Sequence, residues 1–270
     1  SLHDDICPHS GNYRFIRTDI CNRQAVEKLF QEVQPDVVIN TSALSVPDYC
    51  ETHHEEAWLT NVTAVEQLAH LCESYKSRFI HLSTDFVFDG KIDEKSGQLY
   101  TEKSLPAPVN YYGFTKWKGE ERVAETCSSY AIVRVAIVYG RALPEQHGNI
   151  VQLVMNRLKA GQEIRVVSDQ WRTPTFVGDL SDGIQRLIEN TANGIFHICG
   201  DECLTIAEIA YQVADYMKLN RALIHSVTTE EMQESTPRPR FSGMSIEKAR
   251  TILGYNPRKL KEVLLDWNSI

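Results

Sequence analysis

The first half of the chain alternates short apolar runs with longer amphipathic stretches. Four apolar runs predict strands, at 13–17, 37–40, 79–83 and 131–135. Three stretches with apolar side chains at helical spacing predict helices, at 23–33, 55–75 and 112–127. This alternation is typical of a parallel sheet that helices cover on both faces.

The pattern changes after Gly140. Four further helical stretches are predicted, at 149–160, 179–190, 205–216 and 245–253. Short strands are predicted between them, at 195–198 and 223–227. The second half therefore indicates a smaller mixed lobe that is partly interwoven with the sheet.

Two polar clusters directly follow predicted strands. They are Asn40-Thr41-Ser42-Ala43 and Ser83-Thr84-Asp85. Ligands of open parallel sheets bind beyond the carboxyl ends of the strands, so both clusters are expected to line one crevice. Asp19-Ile20 follows the run 13–17 and is expected at the same edge of the sheet.

Composition narrows the class of protein. With 270 residues and 42% hydrophobic content, the chain can bury a substantial core. A formal charge of -8 and the lack of a long run of Lys or Arg argue against nucleic acid as a partner. No apolar stretch approaches the roughly 20 residues that cross a bilayer, so no membrane association is expected.

The seven cysteines form neither a disulfide pattern nor a zinc motif. Their number is odd and they are scattered without a C-x-x-C pair, which predicts reduced thiols and a cytoplasmic location. His53-His54 stands beside Glu55-Glu56, but adjacent residues at a helix start point in different directions. We therefore predict a solvated helix start there and no metal site.

The candidate chemistry lies in Thr84, Tyr112 and Lys116. Tyr112 and Lys116 are four residues apart in a predicted helix, which puts both side chains on one face. An ammonium beside a phenol is expected to lower the pKa of the phenol from about 10 and to make Tyr112 a general acid. The Thr84 hydroxyl would bind the same substrate oxygen while charge develops.

The Tyr-x-x-x-Lys spacing alone is a weak signal. With 11 Tyr in 270 residues, such a match arises by chance in about every second chain. Tyr255 and Lys259 form a second match, but Pro257 between them disfavours a helix there. From the motif alone, a half-buried tyrosine beside a solvated lysine stays an open alternative.

Several segments, in order along the chain, together resemble one family. They are Asp19-Ile20, Asn40-Thr41-Ser42-Ala43, residues 83–90, Tyr112-Gly113-Phe114-Thr115-Lys116, residues 134–140, Asp169-Gln170 and Pro174-Thr175. The chain is similar to the extended short-chain dehydrogenases/reductases, and within them to the dTDP-4-dehydrorhamnose reductase family. The resemblance runs from about Thr18 to Arg238-Pro239.

The resemblance implies an α/β fold with a Rossmann-like doubly wound parallel sheet and a smaller mixed α/β C-terminal substrate lobe. Residues 1–143 with 167–198 would form the dinucleotide-binding domain. Residues 144–166 and 199–270 would form the substrate lobe.

The family's first strand and its glycine-rich turn, which cradle the pyrophosphate, have no counterpart before Asp19. A segment of about 30 residues or more is expected there. Either the chain is the ordered remainder of a longer protein, or it is truncated. In the second case, it would bind dinucleotide poorly and expose an unpaired strand.

The resemblance also implies the roles of single residues. Tyr112 would donate a proton, Lys116 would tune it and bind the nicotinamide ribose, and Thr84 would hold the substrate carbonyl. The implied contacts of an NADPH or NADH cofactor are Asp19, Ile20, Ala43, Leu44, Ser45, Leu82, Tyr112 and Lys116. The implied contacts of a nucleotide-linked 4-keto sugar are Thr84, Asp85, Ile137 and Asn149. No metal would be needed, and a homodimer is possible.

Three positions bear on the choice between related functions. Ile137 stands where the family has tryptophan, and Tyr49 stands where it has lysine, so the substrate is less determined than the reaction. Phe86 stands where the related dehydratases have an acid, which favours simple reduction but excludes an epimerase less firmly. A non-catalytic regulatory subunit, like the beta subunit of methionine adenosyltransferase, is the alternative from another class. The intact triad favours an enzyme.

Overall fold

Ten strands occur in the residues that the computed structural model describes, 14–92, 94–141 and 148–267. They are β1 (Val37–Asn40), β2 (Arg78–Thr84), β3 (Tyr130–Val135), β4 (Val138–Tyr139), β5 (Ile164–Val167), β6 (Trp171–Arg172), β7 (Thr175–Phe176), β8 (Gly194–His197), β9 (Leu204–Thr205) and β10 (Ile224–Val227). The main sheet has the order β1-β2-β3-β8, and its strands are parallel.

Eleven α-helices connect and cover these strands in the described residues. They are α1 (Arg23–Val33), α2 (Pro47–Thr52), α3 (His54–Trp58), α4 (Ala64–Tyr75), α5 (Tyr111–Thr126), α6 (Ile150–Lys159), α7 (Val177–Glu189), α8 (Ile206–Tyr216), α9 (Thr229–Met232), α10 (Glu247–Leu253) and α11 (Leu260–Leu265). A π-helix at Leu59–Thr63 joins α3 to α4. Short 3-10 helices lie at Asp85–Val87, Glu94–Ser96 and Arg221–Leu223.

Helices cover both faces of the main sheet, because its central strands are apolar on both faces. On one face, α1, α4 and α5 pack against Phe79 and Ile132. On the other face, α7 and α10 pack against Ile80 and Val133. The predicted α/β class with a parallel, doubly covered sheet is confirmed.

A second core lies in the C-terminal part of the chain. There α6, α8 and α11 pack around β5 and β10, which form a parallel pair. Two small pairs join the remaining strands, β4 with β7 in parallel and β6 with β9 antiparallel. Tyr139 of β4 and Phe176 of β7 belong to this second core. The division into 1–143 with 167–198 and 144–166 with 199–270 stays a prediction, and its first boundary, between 143 and 144, lies outside the described residues.

The predicted strand at 13–17 is wrong where the structure describes it. Residues 14–17 have no regular secondary structure, and Tyr13 lies outside the described residues. A strand needs a hydrogen-bonding neighbour, and within the described chain β1 is the edge of the sheet. The side chain of Ile39 on β1 is 43% exposed.

Candidate active site

Thr84 ends β2 and caps the short helix that follows. Its hydroxyl accepts a hydrogen bond from the Phe86 backbone N–H (3.2 Å) and donates one to Asp85 Oδ1 (3.2 Å). The same hydroxyl lies close to the phenol of Tyr112 and acts to lower the pKa of that phenol. Two members of the predicted triad therefore meet directly at the carboxyl end of the central strand.

The start of α5 explains why Tyr112 reaches Thr84. Asn110 caps the helix, because its Oδ1 accepts from the Gly113 backbone N–H (2.9 Å). Its Nδ2 donates to the carbonyl of Pro237 (2.8 Å) and ties the cap to the C-terminal part of the chain. A Cβ at Gly113 would overlap the carbonyl oxygen of Phe86. Glycine therefore lets α5 approach the turn after β2.

Lys116 lies one helical turn further along α5, and only 2% of it is exposed. Its Nζ donates to the carbonyl of Leu82 (2.6 Å) and lies 3.3 Å from His81 Nε2. Burial lowers the pKa of Lys116 to about 8, and the nearby carboxylate of Glu120 opposes that change. The lysine is thus held against β2 beside two of the predicted cofactor positions, Leu82 and Tyr112.

The expectation that Lys116 lowers the pKa of Tyr112 is wrong for the chain as it stands. Burial raises the pKa of the phenol above its ordinary value, and this outweighs the opposing hydrogen bond from Thr84. The nearby Asp85 and Cys50 raise it further. Tyr112 is consequently a protonated phenol at neutral pH, the form that a proton donor requires.

Asn61 is a site residue that the sequence analysis did not single out. It is fully buried in the π-helix, where its Nδ2 donates to the Leu44 carbonyl and to Thr115 Oγ1, both at 3.0 Å. Its Oδ1 accepts from the Leu44 backbone N–H (2.9 Å). The amide therefore joins the loop after β1 to α5. An amide on an otherwise apolar helical face was the signal available in the sequence.

Asp85 is buried behind Thr84. Its carboxylate accepts a hydrogen bond from Ser242 and lies 3.4 Å from Arg172 Nε. Burial raises the pKa of this carboxyl, although the Arg172 guanidinium opposes the rise. The contacts of Asp85 with Ser242 and Arg172 link the turn after β2 to the C-terminal half of the chain. A direct contact of Asp85 with a sugar stays a prediction.

A cavity of about 600 Å³ opens beside the turn that follows β2. Phe86 lines it and also meets the Tyr112 ring edge-on, with ring centroids 5.7 Å apart. Of the predicted contacts, Ser45, Ile137 and Asn149 line this cavity. Ile137 has a φ of 39°, which is unfavourable for a β-branched residue and typical of positions held by function. The remaining lining residues are Val138, Ile150, Leu153, Ile164, Arg165, Val166, Val167, Gln170, Arg172, Ile206, Met232, Glu234 and Arg238.

Asn149 has a local role as well. Its Oδ1 accepts from the Gln152 backbone N–H (3.1 Å) and caps α6, while its Nδ2 donates to the Gly140 carbonyl (2.8 Å). These two bonds fix the wall of the cavity at the start of α6.

The other predicted cofactor positions are spread along the sheet edge. Ala43 and Leu44 are half-buried in the loop after β1. Asp19 is exposed, and its Oδ1 accepts from the Cys21 backbone N–H (2.9 Å). Ile20 lines a different groove, of about 400 Å³, along β1. The roles of these residues in cofactor binding stay predictions.

His53 and His54 start α3, as the sequence predicts. His54 stacks on Tyr111 with ring centroids 3.8 Å apart. Within 14–92, 94–141 and 148–267, no cluster of three or more His, Cys, Asp or Glu could hold a metal ion. The six described cysteines are free. None of the helices in the described part of the chain is long and apolar enough to cross a membrane.

Comparison with known proteins places this arrangement among sugar-modifying enzymes and their relatives. Residues 7–267 match the sequence profile of the RmlD substrate binding domain family. The spore coat polysaccharide biosynthesis protein SpsK of Bacillus subtilis is 33% identical over 251 residues, which are 92% of this chain and 84% of that protein. The beta subunit of methionine adenosyltransferase 2 of Xenopus laevis is 32% identical over 232 residues, 84% of this chain and 67% of that protein.

The fold is similar to that of a reductase whose crystal structure is known. The crystal structure of dTDP-4-dehydrorhamnose reductase from Bacillus anthracis, in complex with NADP, superposes with a TM-score of 0.84 at 29% identity. The match covers 93% of this chain and 86% of that one.

Proposed function

Because the chain belongs to the RmlD substrate binding domain family, we propose that it is an NAD(P)H-dependent oxidoreductase that reduces the 4-keto group of a nucleotide-linked deoxysugar. The observation that carries the proposal is the Thr84 hydroxyl beside the Tyr112 phenol, with Lys116 buried one turn further along α5. Phe86, which packs against the Tyr112 ring, lines a ligand-sized cavity. The finer proposal is the reduction that completes dTDP-rhamnose, as in the reductase from Bacillus anthracis.

The proton chemistry follows from the state of the phenol. Reduction of a ketone leaves an alkoxide, which needs a proton from a group that is still protonated at neutral pH. Tyr112 is such a group, because burial holds its pKa above the ordinary value. Thr84 shares the position and supplies a hydroxyl to the same oxygen.

The described residues fit the nicotinamide end of the cofactor. When bound, the cofactor supplies the hydride. Lys116 holds a buried Nζ against the Leu82 carbonyl near the end of β2, one turn along α5 from Tyr112, and this amino group is proposed to donate to a ribose hydroxyl. The glycine-rich turn that the resemblance implies for the pyrophosphate has no counterpart before Asp19 in this sequence. We infer NADPH or NADH as the cofactor.

The cavity suits a sugar nucleotide in size and chemistry. Its volume of about 600 Å³ lies in the usual range for small-molecule sites. Its wall combines apolar side chains such as Ile137 with the guanidinium groups of Arg165, Arg172 and Arg238. Guanidinium groups bind phosphate oxygens in a bidentate manner, which a nucleoside diphosphate offers.

The test is turnover of dTDP-4-keto-6-deoxymannose by the intact protein, followed by loss of NADPH absorbance. We expect Tyr112→Phe to lower turnover by about 10² to 10⁴, the usual contribution of a general acid. Tyr255→Phe is the matched control, since it removes the phenol of the second Tyr-x-x-x-Lys match and leaves the site intact. Folded, cofactor-bound protein without turnover would contradict the reductase. Undiminished turnover of Tyr112→Phe would contradict the role of Tyr112.

One observation favours a second candidate, a regulatory subunit without catalysis. The beta subunit of methionine adenosyltransferase 2 is as similar to this chain as the biosynthetic relatives are, and Ile137 and Tyr49 depart from the reductase pattern. Co-purification with a methionine adenosyltransferase catalytic subunit, without any turnover of keto sugars, would support it. The intact Thr84, Tyr112 and Lys116 favour the enzyme.

Other partners remain predictions. A homodimer and a cytoplasmic location are proposals from the resemblance and from the scattered cysteines. An epimerase on the same scaffold is distinguished by its product, because an epimerase returns its nicotinamide to the oxidised form and a reductase consumes NAD(P)H.

A further inference from the structure

A buried chain of hydrogen bonds runs from β1 to the candidate catalytic lysine. The Ser42 backbone N–H donates to Asn40 Oδ1 (3.0 Å). Asn40 Nδ2 lies 3.1 Å from His81 Nδ1, and His81 Nε2 lies 3.3 Å from Lys116 Nζ. Asn40, His81 and Lys116 are all at most 4% exposed, so water does not compete for these contacts.

The direction of this chain is set at its first member. A backbone N–H can only donate, so the atom of Asn40 that it meets is the carbonyl oxygen. The Asn40 NH₂ group then faces His81, and His81 Nδ1 must accept. His81 is neutral, because complete burial lowers its pKa well below the ordinary value. A neutral imidazole that accepts at Nδ1 carries its hydrogen on Nε2.

The last link therefore directs an N–H of His81 toward Lys116 Nζ. A neutral amine accepts that bond with its lone pair and still donates to the Leu82 carbonyl. An ammonium has no lone pair, so two donors would face each other. Moving the hydrogen of His81 to Nδ1 would set it against the Asn40 NH₂ group. Turning the Asn40 amide as well would set that NH₂ group against the Ser42 N–H, which can only donate.

We propose that Asn40 and His81 are positioning residues that favour the neutral amine of Lys116 through this one-directional chain of hydrogen bonds. Its significance for catalysis rests on the proposed function, because a lysine that titrates near working pH can exchange a proton during turnover. The chain itself is a property of the cofactor-free protein.

Other charges near Lys116 set the background. Glu120 on α5 favours the ammonium, and Arg134 on β3 shares that carboxylate in a buried ion pair (2.6 Å). Tyr112 on the same helix is a neutral phenol. Burial acts in the same direction as the His81 contact, and the pKa of Lys116 is about 8. The effects of burial and of the His81 contact on the pKa of Lys116 can be measured separately, because a variant that reverses the hydrogen bond leaves Lys116 buried.

Two variants reverse the contact while keeping the size of the side chain. In His81→Gln, the new amide can turn its oxygen toward Nζ and accept from the ammonium. In Asn40→Asp, the carboxylate accepts from both the Ser42 N–H and His81 Nδ1–H, so Nε2 becomes the acceptor. We expect the pKa of Lys116 to rise by about one unit or more in each variant. His197→Gln is the control, since His197 is another buried histidine of the same sheet and bonds the Ser245 carbonyl (3.1 Å).

The measurement is an NMR titration of isotope-labelled lysine side chains in the cofactor-free protein, with the Lys116 signal assigned by its loss in Lys116→Arg. The titration needs neither substrate nor turnover, so its result tests this proposal independently of the proposed reductase activity. Raised pKa values in both variants, with His197→Gln unchanged, support the proposal. An unchanged Lys116 pKa in folded Asn40→Asp overturns it, whether or not His81→Gln folds. Where turnover is present, the pH profile of kcat/KM should move in the same direction.

Discussion

Two regions of this molecule carry the same Tyr-x-x-x-Lys spacing and do different things with it. Tyr112 and Lys116 lie on one capped helix, α5, and both reach the end of β2. Tyr255 and Lys259 lie between α10 and α11, after Gly254 in the left-handed conformation. There the phenol donates to the Cys199 carbonyl (3.2 Å), while the lysine is exposed. The spacing has a chemical meaning only where a helix puts both side chains on one face.

The two Tyr-x-x-x-Lys matches also differ in how closely the chain around them packs. Gly113 lets α5 lie against the turn after β2, and Gly119 lets it lie against the π-helix. This close packing holds the first Tyr-Lys pair near the end of β2. Pro257 lies inside the second match and interrupts any helix. The second pair therefore contributes a core residue and a surface residue.

The largest contrast is expected from the two lysines. Lys116→Met should lower turnover by about 100-fold or more, because it removes the buried amino group that is proposed to position the nicotinamide ribose. Lys259→Met should leave turnover unchanged, because Lys259 is exposed and lies at the start of α11. Steady-state kinetics of both variants measure this. Equal losses in the two variants would contradict the distinction between the two regions.

The same substitution should raise stability while it lowers activity. Burial lowers the pKa of Lys116 from 10.5 to about 8, so the ammonium costs the folded chain roughly 3 kcal/mol at neutral pH. Loss of the bond to the Leu82 carbonyl offsets about 1 to 2 kcal/mol of this. Urea unfolding at pH 7 should show Lys116→Met to be more stable by about 1 to 2 kcal/mol.

The sign of the pH dependence follows from the lowered pKa. Between about pH 8 and pH 10.5 the unfolded chain binds more protons at Lys116 than the folded chain does, so this group makes stability rise with pH. The advantage of Lys116→Met should therefore shrink across that window. An advantage that is constant from neutral pH to above that window would show that Lys116 is not perturbed.

The next effect is expected at Gly113. Gly113→Ala should destabilise the fold by about 2 to 3 kcal/mol, because the new methyl group meets the Phe86 carbonyl, although alanine is the better helix former. Turnover should fall too, since α5 must move away from Thr84. Glu125→Ala on the exposed face of the same helix should change stability by less than about 0.5 kcal/mol. Thermal unfolding of both variants distinguishes close packing from helix propensity.

In the second region, an effect on stability without an effect on turnover is expected. Tyr255→Phe removes one buried hydrogen bond to the Cys199 carbonyl and should cost about 1 to 2 kcal/mol of stability. Its turnover should equal that of the wild type. A loss of turnover comparable to Tyr112→Phe would mean that the second match also contributes to catalysis.

Much of the fold was predictable because its signals are local. The predicted helix at 23–33 and strand at 37–40 have the observed bounds, and α5 begins within one residue of its prediction. Each combines a clear apolar period with a cap or a turn residue. The strand predicted at 13–17 has equally suitable residues, but a strand requires a neighbour, and sequence pattern alone does not supply one.

The candidate site was predictable only in part, for a similar reason. Thr84, Tyr112 and Lys116 were identified by strand ends, helix spacing and resemblance, all of which are local. The contacts of His81, Asn40 and Asn61 with that group join residues far apart in the chain. Pairings of this kind are set by how β1, β2 and α5 pack.

The sequence by itself determined the parallel α/β class, the two polar strand ends and the choice of Tyr112 over Tyr255. Hydrophobic periodicity, the effect of proline and helix geometry each depend on only a few neighbouring residues, so they can be identified from the sequence alone. Tertiary structure alone decided the protonation chemistry. It buried Tyr112 and raised a pKa that a neighbouring lysine was expected to lower, and it placed a one-directional line of hydrogen bonds behind Lys116. The physical reason is that desolvation and hydrogen-bond direction depend on the whole surroundings of a group, which only the packed fold brings together.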